Sequence, residues 1–253
     1  MAQWNLLYDL YERRVMRSLR RESIPRHIGV ILDGNRRWAK ATGATTSQGH
    51  RAGAGRIAEF LGWADEVGVE IVTLWMLSTD NLSRSSKELE ELLGIICAAV
   101  ASLAQQGPWR LRLVGDMSLL PDNVAQDLRM SVDSTSQSAG MTVNIAVGYG
   151  GRHEITNAVR ALIRSAGEQG RSLEELADTL SDADIGAHLY TKDQPDPDLV
   201  IRTSGEQRLS GFMLWQSAHS EFYFCETYWP DFRRVDFLRA LRAYAQRERR
   251  MGR

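Results

Sequence analysis

A near-continuous apolar run, interrupted only by Thr73, extends from Ile71 to Leu77 and limits the folds open to this chain. A strand that is apolar on both faces is typical of a parallel sheet with helices packed on each side. Strands that alternate with helices predict an α/β fold with a mostly parallel central sheet flanked by helices. Further strands are predicted at Ile28–Leu32, Leu111–Val114, Thr142–Val147, Leu199–Arg202 and Phe212–Trp215, and helices at about 2–21, 51–67 and 122–137, from Ser85 and after Gly151.

Polar residues that follow the predicted strands point to one site. Asp33 follows the first strand, Ser78 follows the strand that starts at Ile71, and Arg202 ends a later strand. The carboxyl ends of parallel strands meet at one edge of a sheet, and ligands bind outside that edge. We therefore expect these three side chains to line one crevice.

Length and charge favour a single catalytic domain. The 253 residues contain no internal repeat or low-complexity linker, so we predict one domain over 25–253 after an N-terminal basic amphipathic helix in 1–24. The formal net charge of −1 argues against a nucleic-acid partner. The two cysteines, Cys97 and Cys225, cannot form a disulfide framework. With no apolar run long enough to span a membrane and no signal-peptide pattern at the start, we expect a cytoplasmic protein.

Both ends of the chain, 1–24 and 235–253, are rich in arginine and carry apolar residues at helical spacing. A basic amphipathic helix can lie on an anionic membrane or meet a partner, so peripheral membrane contact is one expectation. The more common alternative is a helix that docks on its own domain and turns its arginines to solvent.

The stretch from His27 to Lys40 has the features of a phosphate site. A strand delivers Asp33 into a turn at Gly34, and a helix begins just beyond. Backbone N–H groups at a helix start bind anions. Arg37 is placed to clamp a phosphate group, and the carboxylate of Asp33 is a hard oxygen ligand of the kind that Mg²⁺ prefers.

This stretch closely resembles the diphosphate-binding signature of the cis-prenyltransferases, from which it departs mainly at Leu32. Four further motifs of that family match in the same order, and the resemblance covers about 25–253: Gly49-His50-Arg51-Ala52-Gly53, Ser78-Thr79-Asp80-Asn81, Gly148-Tyr149-Gly150-Gly151-Arg152, and the segment from Asp198 to Glu206 with its continuation to Phe232. The resemblance implies the cis-prenyltransferase fold with an apolar product tunnel, Mg²⁺ as cofactor, and isopentenyl diphosphate and an allylic diphosphate as substrates.

The resemblance also implies roles for individual residues. Asp33 and Asn81 are the implied catalytic residues, and Asp33 and Glu221 the implied metal ligands. Asn81 matches a residue that assists proton removal, although an amide is a poor base and positioning is easier to defend physically. The implied allylic site comprises Gly34, Asn35, Arg36, Arg37, Trp38, Thr46, His50, Ser78, Thr79, Asp80, Leu82 and Arg84, and the implied isopentenyl diphosphate site comprises Arg202, Arg208, Leu209, Ser210, Arg250 and Gly252. Arg250 and Gly252 match a tail motif that reaches the partner's site in dimeric relatives, which implies a homodimer.

Some positions depart from the family pattern. Thr46 stands where many members have Arg, so the allylic site lacks one expected charge. Met76 stands where long-chain members usually have a small residue, on the same predicted strand face as Val72 and Leu74. A methionine that points into the product tunnel would shorten it, because overpacking an apolar space typically costs about 1–3 kcal/mol. The alternative is that Met76 is an ordinary core residue.

The resemblance implies Z-type prenyl chain elongation, and Met76 favours a short product of geranyl to geranylgeranyl length, with Z,E-farnesyl diphosphate as the first expectation. Three alternatives remain open: irregular head-to-middle coupling of the lavandulyl type, synthesis of longer polyprenyl chains, and a non-catalytic partner subunit. Non-catalytic members typically lose the acid and the arginines, whereas this chain retains Asp33, Arg37, Arg202 and Arg208.

Overall fold

The computed structural model describes residues 12–17 and 19–247. Six parallel strands form one sheet in the order β3-β4-β2-β1-β5-β6. The predicted α/β class is confirmed. The strands are β1 His27–Ile31, β2 Ile71–Ser78, β3 Arg110–Val114, β4 Thr142–Tyr149, β5 Leu199–Arg202 and β6 Glu221–Phe224.

The prediction of a strand at Phe212–Trp215 is wrong. The backbone turns there, with a left-handed φ of 44° at Met213, and Phe212 is buried without belonging to a strand. The sixth strand is instead Glu221–Phe224, at the edge of the sheet. Its side chains are partly buried or exposed, although residues 222–225 form a short apolar run.

The helices cover both faces of the sheet. Alternate residues of the strands point to opposite faces, and Val72 and Leu74 lie in the larger core whereas Ile31 and Val200 lie in the smaller one. The helices are α1 Asn35–Thr42, α2 Thr46–Val67, α3 Ser86–Gln106, α4 Asp122–Asp133, α5 Gly151–Glu168, α6 Leu173–Thr179, α7 Asp182–Gly186 and α8 Arg234–Gln246. Helices α2, α3, α4 and α8 contribute buried side chains to the larger core, and helices α5 and α6 form a satellite cluster.

The predicted N-terminal helix ends before residue 19 rather than near residue 21. Residues 12–17 are helical, 19–20 are not, and Arg21–Ser23 forms a separate 3₁₀ turn. Val15 is buried, and Met16 and Leu19 pack against the larger core. The described part of this segment is therefore docked on the domain. Residues 1–11 lie outside the described residues. Across 12–17 and 19–247, no helix combines the length and apolar character needed to cross a membrane.

His27 opens the diphosphate-binding signature but lies at the amino edge of the sheet. Its side chain is fully buried, with Nδ1 2.7 Å from the carbonyl oxygen of Pro195 and Nε2 2.7 Å from Oγ1 of Thr73. Burial lowers the pKa of His27 from 6.5 to about 4, although Pro195 and Asp198 oppose the shift. His27 is thus a neutral core residue that joins β1 to β2.

Candidate active site

The carboxyl ends of β1, β2 and β5 open into one cavity of about 580 Å³. Asp33, Ser78 and Arg202 all line it, which confirms that the three strand ends converge. The remaining lining is predominantly polar and includes several arginines and acids. It comprises Ile31, Leu32, Gly34, Asn35, Arg36, Arg37, His50, Trp75, Met76, Asp80, Asn81, Arg84, Leu92, Glu206, Arg208 and Ser210.

Asp33 is held between two arginines. Arg202 Nη2 donates to Oδ2 at 2.8 Å, and Arg37 Nη2 lies 3.3 Å from Oδ1. The Gly34 amide also donates to Oδ1, at 2.7 Å. Partial burial works to raise the pKa of Asp33, but the hydrogen bond and charge of Arg202, with Arg37 and the Gly34 amide, outweigh it and hold the pKa below its ordinary value. Asp33 is therefore an ionised carboxylate at the cavity wall.

Gly34 is required where the chain turns from β1 into α1. Its φ is 105°, a left-handed conformation, and a Cβ there would lie 2.8 Å from Cδ1 of Tyr228. Helix α1 then packs closely on α2, because a Cβ at Gly49 would lie 2.3 Å from the carbonyl oxygen of Asn35. These two glycines bring the start of α1 to the cavity.

A continuous chain of charges crosses the cavity beyond Asp33. Arg37 donates to Glu206 at 3.0 Å and to Oγ of Ser204 at 2.6 Å. Arg208 forms a short ion pair with the other oxygen of Glu206. On the far side of Asp33, Arg202 Nη1 donates to Oγ of Ser210 at 2.8 Å. Carboxylates thus separate the guanidinium groups of Arg208, Arg37 and Arg202.

A second group of basic residues, Arg36 and Arg84, lies near His50 in the cavity wall. Nε2 of His50 is buried and has no hydrogen-bond partner among the described residues. Desolvation, with the charges of Arg84 and Arg36, lowers the pKa of His50 to about 4, although Glu88 opposes the shift. The imidazole is therefore neutral near pH 7 and keeps a buried, unpaired nitrogen in the wall of a cavity rich in cations.

Met76 separates the polar cavity from a small apolar space. It lines the main cavity and also a cavity of about 40 Å³, which Ile57, Ile96 and Trp229 help to enclose. Met76 packs against the larger core, the face that also holds Val72 and Leu74. The predicted strand face is therefore confirmed. The apolar product tunnel that the resemblance implies stays a prediction.

The geometry agrees with comparisons to known proteins. Residues 31–252 match the family model described as "Putative undecaprenyl diphosphate synthase". The chain belongs to this family of cis-prenyltransferases. It is 59% identical to isoprenyl transferase 1 of Streptomyces avermitilis, over 98% of this chain and 96% of the relative. It is 58% identical to (2Z,6E)-farnesyl diphosphate synthase of Thermobifida fusca, over 97% of each chain.

The fold of this cis-prenyltransferase also matches that of a solved relative. The crystal structure of lavandulyl diphosphate synthase from Lavandula x intermedia in complex with dimethylallyl diphosphate superposes with a TM-score of 0.85 at 35% identity. The match covers 92% of this chain and 100% of that chain.

Most predicted site residues of the cis-prenyltransferase line the main cavity, and among the described residues six do not, one of which is Glu221. Thr46 lines an adjoining cavity of about 270 Å³ together with His50. Thr79 lines a neighbouring cavity of about 400 Å³. Leu82 and Leu209 pack against the larger and the smaller core, respectively. Trp38 is half-buried on α1, outside the cavity lining.

Glu221 is not placed with Asp33. In the sheet it pairs with Leu199 at the start of β5, whereas Asp33 follows the carboxyl end of β1. With a rise of about 3.3 Å per residue, the strands carry the two acids to opposite edges of the sheet. Glu221 forms an ion pair with Arg247 instead. Within one chain the sheet therefore keeps Glu221 away from Asp33, and a metal role for Glu221 stays a prediction.

Ser85 and Glu88 have the spacing of a capping box, which predicts that Ser85 caps the helix that starts there, but this capping box does not form. Ser85 is the N-cap of α3, but its side chain makes no capping hydrogen bond. Glu88 Oε1 instead accepts from Arg84 Nη1 at 3.0 Å. Sequence reasoning missed two acids that contact the site, Glu88 and Glu206. A spacing of four residues between Arg84 and Glu88 is the signal that would have found the first pair.

The tail residues Arg250 and Gly252 lie outside the described residues, so their predicted reach stays untested.

The donor set at Asp33 suits a magnesium ion that is shared with substrate. Mg²⁺ is commonly held by one or two carboxylates together with substrate phosphates. Within 12–17 and 19–247, no group of three or more acidic, histidine or cysteine side chains is placed to hold a metal unaided. A single ionised carboxylate among arginines that attract diphosphate fits such a shared ion.

Proposed function

We propose that this cis-prenyltransferase condenses isopentenyl diphosphate with an allylic diphosphate, giving a short-chain Z-prenyl diphosphate and inorganic diphosphate. The expected product is (2Z,6E)-farnesyl diphosphate. One observation carries the proposal: Asp33 joins Arg37, on the side predicted for the allylic substrate, to Arg202, on the side predicted for isopentenyl diphosphate. Two anionic substrates must meet in this reaction, and cations on both sides of a shared acid suit that requirement.

The proposed reaction breaks the bond between the allylic carbon and its diphosphate oxygen. That carbon bonds to the terminal carbon of the isopentenyl double bond, and carbon C2 of the isopentenyl unit then loses one proton, to the departing diphosphate or to water, which forms the new Z double bond. Arg36, Arg37 and the N–H groups at the start of α1 would bind the leaving diphosphate. Arg202, Arg208 and Ser210 would hold isopentenyl diphosphate.

Mg²⁺ bound by Asp33 and substrate oxygens would neutralise charge that develops on the leaving diphosphate. Asp33 is suited to this because its pKa lies below the ordinary value, so the carboxylate is available as a ligand near pH 7. Before the ion and substrate bind, Arg202 and Arg37 would keep that carboxylate oriented toward the cavity.

Met76 supports a short product. The space behind it is about 40 Å³, little more than the roughly 30 Å³ that one water occupies in the liquid. Growth of the prenyl chain past Met76 would need a displacement of Met76 or of the helices that enclose this space. The names of curated relatives agree: the Thermobifida fusca protein is a (2Z,6E)-farnesyl diphosphate synthase and the Mycobacterium bovis protein a short-chain Z-isoprenyl diphosphate synthase.

A second candidate function is irregular coupling of the lavandulyl type. The structural similarity to lavandulyl diphosphate synthase favours it, whereas the arginines and serine on the isopentenyl side favour regular elongation. A longer polyprenyl product and a non-catalytic partner role are less well supported, because Met76 narrows the cavity and Asp33 retains both of its arginine partners.

Assembly and location stay predictions. We propose a homodimer in which 235–253 lies near the partner, because Arg247, the last described residue, already contacts edge strand β6 through Glu221. The single catalytic domain over 25–253 and a cytoplasmic location with peripheral membrane contact are proposed on the sequence alone.

The test is product identification. The full chain is incubated with Mg²⁺, isopentenyl diphosphate and dimethylallyl, geranyl or farnesyl diphosphate in turn, and products are identified by mass and by NMR of the double bonds. We expect geranyl diphosphate to gain one isopentenyl unit with a new Z bond. Branched products from dimethylallyl diphosphate alone would support the lavandulyl reaction, and long polyprenyl products would refute the short-chain proposal. If none of the primers gives a product, the proposed enzymatic activity is refuted.

A further inference from the structure

The amide of Asn81 has a fixed orientation at the cavity wall. Its Oδ1 accepts from Nη2 of Arg84 at 3.0 Å. Because guanidinium is a donor only, the group that faces it must be the amide oxygen rather than the nitrogen. The backbone is also fixed, since the Asn81 N–H donates to Oγ of Ser78 at 3.1 Å and its carbonyl accepts from the Arg84 N–H.

The remaining polar group of Asn81 is its NH₂. Among the described residues, no acceptor is bonded to it, and Asn81 lines the cavity that holds Asp33 and Arg202. An amide nitrogen in this position donates hydrogen bonds and does not accept a proton. The diphosphate oxygens of a bound substrate are acceptors only, so they are the complementary partners for it.

Arg84 in turn depends on Glu88. The Arg84 side chain is only 16% exposed, and it shares the neighbourhood with a second cation, Arg36. Oε1 of Glu88 is 3.0 Å from Arg84 Nη1 and 3.9 Å from Arg36 Nη1. Two guanidinium groups around one carboxylate oxygen would repel each other without it. Glu88 therefore holds Arg84 where it binds Asn81.

We propose that Glu88 is a positioning residue, which acts through Arg84 to fix Asn81 as a hydrogen-bond donor to substrate diphosphate rather than as a base. This rests on the proposed function for the identity of the substrate. The uncapped side chain of Ser85 supports it, because Glu88 is free to bind Arg84 instead of closing a capping box.

The first test compares Asn81→Asp with Asn81→Ala. Aspartate has nearly the same shape but replaces the donor with a negative charge and is a far better base. We expect kcat/KM to fall about ten- to a hundredfold for Asn81→Ala, as for loss of a hydrogen bond to a charged group, and further for Asn81→Asp. An Asn81→Asp enzyme more active than Asn81→Ala would overturn the donor role.

The second test addresses Glu88. We expect Glu88→Ala to lower kcat/KM at least tenfold and Glu88→Gln to recover part of that loss, because glutamine keeps an acceptor for Arg84. In the double variant Glu88→Ala/Asn81→Ala, activity should match Asn81→Ala alone, since both changes remove one interaction. Additive losses would overturn the positioning role. Glu90→Ala, at an exposed acid on the same helix, is the matched control and should leave kcat/KM unchanged.

The same variants are titrated with inorganic diphosphate by calorimetry, so that the result does not depend on turnover. Weaker binding by Asn81→Asp and by Glu88→Ala is expected, and unchanged binding would overturn the proposal even if the wild-type chain makes no prenyl product. Conversely, a wild-type enzyme that elongates normally while these variants bind diphosphate as tightly would leave the proposed function standing and refute only this inference. Circular dichroism of each variant checks that the fold is retained.

Discussion

Acid should destabilise this protein through one buried residue, His27, far from the cavity. Its pKa in the folded protein is about 4, against 6.5 for an ordinary histidine, because burial penalises the charged ring. The unfolded chain therefore binds a proton as pH falls below about 6.5, whereas the folded chain does not until about pH 4. Stability contributed by the neutral ring is present above this window and is lost progressively as pH falls through it.

The magnitude follows from the two pKa values. For a shift from 6.5 to about 4, linkage predicts that the free energy of unfolding falls by about 1.8 kcal/mol between pH 7 and pH 5 through His27 alone. His50, whose pKa is also about 4, adds a loss of the same sign. Asp116, with a pKa of about 2, loses its stabilising contribution only at lower pH, as pH falls below 3.8, and does not contribute in this window.

The assay is urea unfolding followed by circular dichroism at pH 7, 6 and 5. His27→Gln should be less stable at every pH, because Thr73 and Pro195 lose their ring partner. Its loss between pH 7 and pH 5 should nevertheless be smaller than that of the wild type by about 1.8 kcal/mol. His219→Gln, at an exposed histidine, is the control and should keep the wild-type slope. Equal slopes for His27→Gln and wild type would refute the reasoning.

Three further predictions concern the active site. Met76→Ala should shift products to longer chains by opening the space behind it, measured by mass; an unchanged product would make Met76 an ordinary core residue. Asp33→Ala should abolish condensation and lower stability by up to about 3 kcal/mol, because it leaves the buried Arg202 without its acid; an active variant would contradict the metal role. Removal of residues 250–253 should slow turnover without changing the urea midpoint, and unchanged turnover would exclude a role for the tail.

Local pattern predicted the central strands because they are buried on both faces. In β1, β2, β4 and β5 nearly every residue is buried, so their sequences are apolar along their length. The same reasoning failed at Phe212, which begins a run of four apolar residues. Phe212 and Met213 are buried in a turn there, and the Phe212 ring stacks on Trp75 with the ring centroids 5.2 Å apart. It missed β6 because an apolar run as short as 222–225 does not by itself distinguish a strand from another buried segment.

Individual contacts within the site were less predictable than its location. The order of motifs along the chain indicated that Asp33, Ser78 and Arg202 meet, since parallel strands end at one edge. It did not indicate that Glu88 binds Arg84 rather than forming a capping box with Ser85. Both partners lie at a similar spacing from Glu88 along the chain, and which contact forms depends on the packing. Nor did the order of motifs separate Glu221 from Asp33, because their distance depends on strand order and register.

Residue types and their spacing along the chain were enough to predict the α/β class, the family and the signature around Asp33. Which charged side chains contact one another depends on the folded structure. It joined Asp33 to Arg37 and Arg202, moved Glu221 to the far edge of the sheet, and turned the Asn81 amide toward Arg84. The physical reason is that ion pairs and amide orientations depend on distances of a few ångströms between segments that lie far apart in sequence.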